Sequence, residues 1–155
     1  MTPAGDFDLD QFLPYLLNQA AEAASLGFQA IYRDGHGMTR TQWRVMANLG
    51  KFGAMTARDI CAIAHVEKTK VSRAVAALER AGLLARHPSD TDRRAEILSL
   101  TATGKALFAD LGQQAMAYDA GLRARLGLAR AGDLDALLRG VMALQAERPI
   151  TNSTA

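Results

Sequence analysis

Residues 56–82 read TARDICAIAHVEKTKVSRAVAALERAG, and their spacing decides the fold. Thr56 stands three residues before Asp59, the pattern of a capping box, in which each side chain bonds the other's backbone amide and closes the open end of a helix. The helix opened there, ARDICAIA, carries Ala57, Ile60, Ile63 and Ala64 on one face. Only His65 and Val66 separate it from the next helical pattern, EKTKVSRAVAALERAG. Two short helices joined by so tight a turn form a helix-turn-helix. At about 100° per residue, Val71, Ala74, Val75 and Leu78 share one side of the second helix. Thr69, Arg73, Ala76 and Arg80 share the other, flanked by Lys70 and Ser72. An apolar back and a basic, hydroxyl-bearing front suit the major groove of B-DNA, where front residues reach base edges.

The pattern extends in both directions. Gly82 ends the second helix, and Leu83 to Arg86 reads as a strand. A charged turn follows with Asp90, Asp92, Arg93, Arg94 and Glu96, and Ala95 to Leu100 reads as the return strand. Upstream, Thr39 or Thr41 caps a helix through Trp43, Met46, Ala47 and Leu49 that Gly50 and Gly53 end. Before it, Leu16, Leu17, Ala20, Ala24, Phe28 and Ile31 mark an amphipathic helix after Pro14 that stops within Asp34–Gly37. Downstream, Thr101 opens a helix to Leu126 striped by Leu107, Leu111, Ala115, Tyr118 and Leu122. A last helix, Ala131 to Ala146, carries Leu134, Leu137, Leu138, Val141 and Leu144. The final TNSTA reads as a disordered tail.

The expected fold is mainly α with a small β-hairpin wing, a winged helix-turn-helix over residues 38–105. Residues 1–37 and 106–155 form a helical region whose stripes lie outside that basic module. One chain can fold them into its own bundle, but a second copy buries more of them. A homodimer is therefore expected, and a dimeric reader matches a palindromic operator.

Charge and composition point the same way. The chain has 155 residues and a net charge of +2. Residues 36–105 hold twelve bases and six acids, whereas residues 1–35 hold one base and five acids. A basic middle implies a polyanionic partner, here double-stranded DNA. Cys61 is the sole cysteine, which excludes an internal disulfide and makes a reducing cytoplasm the default location. It reads as a small core residue beside Ile60 and Ile63. His36, His65 and His87 are scattered, so neither a metal site nor a cofactor is expected. With neither a nucleophile–base pair, nor a carboxylate pair, nor a glycine-rich phosphate loop, an enzyme is not expected. The acidic start, MTPAGDFDLD, lacks a secretion-signal pattern, and apolar runs fall short of a membrane span.

Three segments carry a resemblance to a known family. TRTQWRVMANL, TARDICAIAHVEKTKVSRAVAALERAGLLAR and DRRAEILSLTATG, within residues 39–104, resemble the MarR (multiple-antibiotic-resistance regulator) family of bacterial transcription factors. The Asp-Arg-Arg followed by Leu-Thr and then Gly is specific to that family, and VSRAV followed by LERAGL adds to it. The resemblance implies a homodimer with a helical dimerisation region and two winged modules that grip adjacent major grooves, with wing tips in the flanking minor grooves. It also implies a repressor released by a small anionic, often aromatic or phenolic, effector. The sequence does not separate repression from activation.

Roles follow residue by residue. Arg73 is placed for a bidentate contact to guanine, Thr69 and Ser72 for base or phosphate, and Lys68 and Lys70 for phosphates. By resemblance, Arg94, with Arg93 beside it, is the wing arginine for the minor groove, where a narrow A·T-rich groove concentrates negative potential. Asp92 is the acid that braces the wing by pairing with an arginine. Arg86 faces either phosphate or Asp92. The effector pocket is implied where the first, second and fifth helices meet, near Tyr32, His36, Arg40, Trp43 and Arg44. Redox sensing is not expected, since the first helix has no cysteine.

Overall fold

The computed structural model describes residues 6–146; the TNSTA tail and residues 1–5 lie outside the described residues. A 3-10 turn, Leu9–Gln11, leads into α1 (Leu13–His36) and α2 (Arg40–Phe52). Then come β1 (Met55–Thr56), α3 (Ala57–Ala64), α4 (Lys68–Arg80), β2 (Leu84–Pro88) and β3 (Glu96–Leu100). Two helices close the described chain, α5 (Ala102–Leu126) and α6 (Leu128–Ala146). This is the mainly α winged helix-turn-helix expected, with a small antiparallel sheet as the wing.

The local chemistry sets the helix ends. Pro14 sits in the first turn of α1, where its missing N–H has no intrahelical partner to lose. The helix runs on through Gly35 and stops at Gly37, whose left-handed φ of 62° turns the chain while its N–H bonds the Arg33 carbonyl. Thr39, not Thr41, caps α2 and forms a capping box with Gln42. That helix passes through Gly50, beyond the expected break, because Gly50 faces the Phe108 ring of α5, and a Cβ there would stand 2.6 Å from it. Thr56 and Asp59 form the second capping box, and they hold the Asp59 carboxyl below its usual range, chiefly through the Thr56 backbone amide.

The sheet has the order β1-β3-β2. β2 and β3 form the hairpin, with Leu84 opposite Leu100 and Pro88 opposite Glu96. β1 was not expected from the sequence. Two residues long, it pairs Met55 with Leu98 and Thr56 with Ile97 on the free edge of β3. Beneath the sheet lies a core of Val45, Met46, Leu49, Ile60, Val71, Val75, Leu78, Leu84 and Leu98, all buried. Burying each such side chain stabilises by about 1.5–3 kcal/mol. α3 contributes Ile60 and Ala64 to it, whereas Ile63, on the margin of the stripe, is 45% exposed.

The chain forms two compact units that divide after Gln114, within α5. α1 joins the first unit through packing of Phe28 and Tyr32 on Trp43, and the start of α5 joins it through Phe108 and Gly104. Within the second unit, Arg123 pairs with Asp119 at 2.8 Å and Asp135 at 3.6 Å, and Arg139 pairs with Asp135 at 3.3 Å. These guanidiniums, Arg139 foremost, hold the Asp135 carboxyl below its usual range. α6 starts three residues before the expected Ala131, its first turn closed by the Ala131 N–H on the Gly127 carbonyl.

Candidate nucleic-acid interface

α4 divides as its spacing predicts. Val71, Ala74, Val75 and Leu78 are buried, while Lys68, Thr69, Lys70, Ser72 and Arg73 are exposed. Among the described residues, none of Lys68, Lys70 and Arg73 has an ion-pair partner, so each side chain presents its charge to solvent. Glu67 precedes α4 without a side-chain cap bond. His65 makes the turn from α3 in a left-handed conformation, φ 52°, which histidine tolerates better than most residues. The turn is held from α2, where Arg44 Nη2 donates to the Ala64 carbonyl at the end of α3.

On the wing, Arg86 is committed within the protein. Its Nε donates to Glu79 on α4 at 2.9 Å and its Nη1 to Glu96 on β3 at 3.1 Å. The Glu96 bond, with Glu79 beside it, raises the Arg86 pKa further. Of the two expected partners, Asp92 gives way to two carboxylates that tie the wing to α4. Asp92 is corrected as well: its Oδ1 accepts the backbone N–H of Arg94 at 2.9 Å, and its own carbonyl accepts the Ala95 N–H. It shapes the tip of the wing and pairs with a backbone amide instead of a guanidinium. The short Asp92-to-Arg94 spacing brings that amide closer than any arginine head. Arg93 and Arg94 are exposed and have no acid partner among the described residues. A cleft of about 710 Å³ opens beneath the tip, lined in part by Arg58, Arg86, Arg93 and Arg94. Sequence reasoning missed Arg58, because only the paired strands bring the start of α3 under the wing.

A clasp joins the end of α4 to the start of α5. The Thr101 hydroxyl donates to the Gly82 carbonyl at 2.6 Å and accepts the Gly104 N–H at 3.0 Å. The Thr101 N–H donates to the Leu83 carbonyl. Gly104 packs so tightly there that a Cβ would lie 2.0 Å from that carbonyl oxygen.

The expected effector residues separate into two groups. Tyr32 stacks on Trp43 with ring centroids 6.0 Å apart, and Phe28 meets both rings edge-on. Burial raises the Tyr32 pKa, while Arg40 works against the rise. Arg40 bonds Glu22 and Ser25 of α1. Arg40 and Arg44 also line a separate cleft with His65, Glu67 and Lys70. His36 is exposed in the last turn of α1. Cys61 is half-buried in a cleft with Arg58, Lys68 and Ser72, and not in the core expected for it, because it sits on the flank of α3 facing α4. Among the described residues there is no cluster able to hold a metal ion.

A family model described as the MarR family matches residues 36–95, from the end of α1 to the wing tip. The crystal structure of the MarR family transcriptional regulator SPO1453 from Silicibacter pomeroyi superposes with a TM-score of 0.77 and 27% identity, over 90% of this chain and 99% of that one. The chain belongs to the MarR family. Two further likenesses bear on what a MarR-family regulator of this shape does. NadR, in a crystal structure with 4-hydroxyphenylacetate, has a TM-score of 0.77 and 25% identity, over 87% of this chain and 98% of that one. The homoprotocatechuate degradative operon repressor of Escherichia coli is 32% identical over 96 residues, 62% of this chain and 64% of that repressor. The chain spans about two thirds or less of the curated relatives it matches.

Proposed function

We propose that this MarR-family regulator is a homodimer that binds a palindromic operator in double-stranded DNA and represses transcription until a small aromatic or phenolic anion releases it. The observation that carries the reading is the division of α4: four buried apolar residues behind, five exposed polar or cationic residues in front, and cations with no ion-pair partner among the described residues. Arg73 reads guanine, Thr69 and Ser72 read base or phosphate, and Lys68 and Lys70 take phosphates. Arg93 and Arg94 enter the minor groove, and Asp92 and Arg86 hold the wing that carries them.

Dimerisation rests on exposed apolar side chains. On α6, Leu137, Met142 and Leu144 are each more than 60% exposed, and on α1 Leu13 and Leu26 are more than half exposed. Such a stripe is covered most simply by a second copy. The effector class rests on the bound 4-hydroxyphenylacetate of NadR and on the aromatic catabolic operon in the repressor's name. Tyr32 and Trp43 supply rings for such a ligand, Arg40 and Arg44 a positive charge and His36 a proton donor. A regulator of this kind works where the DNA is, in the bacterial cytoplasm.

The test is binding of the purified protein to its own upstream DNA across a salt series. The logarithm of the binding constant should fall with a slope of about 0.9 per phosphate neutralised. Arg73→Ala should weaken that operator by about 1–3 kcal/mol and relax base preference at one position, and aromatic acids should release the complex. A protein that ignores its upstream DNA at low salt would sink the proposal.

A further inference from the structure

We propose that the cleft between the start of α2, the helix-turn-helix turn and the start of α4 binds a backbone phosphodiester of DNA, which makes Arg40, Thr41 and Arg44 part of the DNA-binding surface. This rests on the DNA-binding reading above and extends it to a helix and to residues that reading assigns to the effector.

The cleft has a volume of about 360 Å³, ample for a phosphodiester group. Its lining draws on three elements: Arg40, Thr41 and Arg44 from α2, His65 and Glu67 from the turn, and Lys70 from α4. Three permanent cations face one carboxylate. Arg40 is balanced by Glu22 of α1, outside the lining. Arg44 is different, because its bond goes to the neutral Ala64 carbonyl, which orients the guanidinium without cancelling its charge. Lys70 has no ion-pair partner among the described residues, and it flanks the exposed front of α4. The cleft therefore adjoins the surface expected to meet DNA, and a phosphate seated in it completes the charge balance that the protein leaves open. Positive, planar donors held by a second bond suit an oxyanion. Glu67 opposes any anion there. A duplex, with its other contacts, can tolerate that repulsion, whereas a free ion with none is held far more weakly.

A random-sequence duplex tests this, because a phosphate contact is blind to base sequence. With the full-length protein, Arg44→Gln should lower the salt slope of binding by about 1.8 per dimer, about 0.9 for each protomer's lost phosphate, and weaken random and upstream duplexes by the same factor. Arg44→Lys should restore the wild-type slope. Glu67→Gln should tighten every duplex several-fold, a gain that misfolding cannot produce. An unchanged slope in Arg44→Gln with weaker binding would mean that Arg44 only positions the turn, and it overturns the phosphate site while leaving the regulator reading standing. No gain from Glu67→Gln overturns it too. If inorganic phosphate at millimolar concentration raises the melting temperature of DNA-free wild type but not of Arg44→Gln, the site belongs to a free anion and the diester assignment fails. Wild-type protein that binds neither duplex at low salt removes the regulator reading and this site together.

Discussion

Replacing Gly104 with alanine tests the clasp that sets the wing against α4. The new Cβ would lie 2.0 Å from the Leu83 carbonyl oxygen, where ordinary contact starts at 3.4 Å. Something must open by about 1.4 Å. The carbonyl is not free to move away, because it accepts the Thr101 N–H, and Thr101 in turn holds Gly82 and Gly104 itself. Forcing an extra methyl into a closed contact costs about 1–3 kcal/mol. Loosening one or two of the Thr101 bonds adds roughly 1 kcal/mol. The sum, roughly 2–4 kcal/mol, corresponds to a fall in Tm of about 5–15 °C for a chain of this length. Circular dichroism melts measure it directly. Binding measured well below the new Tm should weaken too, with all recognition side chains intact, because the wing is no longer held at its distance from α4. A Gly104→Ala protein within 0.5 kcal/mol of wild type would refute the steric argument.

Other outcomes follow from the same contacts. Thr56→Ala removes the cap of α3 and should cost about 1 kcal/mol in urea unfolding. Asp59 has its folded pKa lowered, so its stabilisation is present above the ordinary aspartate range and is lost as pH falls through the folded pKa. The stability gap between wild type and Asp59→Ala should therefore close on acidification, and a gap that widens would contradict the assignment. Arg86→Ala cuts the link from β2 to Glu79 and Glu96, so it should raise hydrogen exchange across residues 86–96 and weaken DNA without changing base preference. Arg94→Ala should weaken duplexes with A·T-rich flanks more than those with G·C-rich flanks, as read by competition binding.

Much of the head was legible because its signals are local. The capping box at Thr56, the four-residue spacing of Val71, Ala74, Val75 and Leu78, and the charged turn between two apolar runs each lie within a few residues. What escaped depends on distant partners. β1 is only Met55 and Thr56, and nothing in two residues announces a strand that exists because β3 has a free edge. Gly50 looks like a helix breaker until Phe108 stands across from it, 58 residues on. Arg86 reads as a wing cation, but Glu79 and Glu96 approach it only once α4, β2 and β3 are assembled. Arg40 and Arg44 were expected near Tyr32 by family resemblance, and Arg40 does act on Tyr32. That both also line a cleft with Lys70 depends on the turn at His65, which only the assembled helices form.

The two-residue strand β1 has a mechanical consequence. With β3 hydrogen-bonded on both sides, the base of the hairpin cannot swing on its own. Met55 belongs to the link leaving α2, so a tug on α2 reaches Leu98 directly, without passing through α3 or α4. Arg86 fastens the opposite strand to α4. Helix and wing thus behave as one stiff tool, and residues 89–95 extend beyond its last paired residues, Pro88 and Glu96. Such a tool turns only as a whole, so in the DNA-binding reading proposed above a change of operator flank falls to residues 89–95.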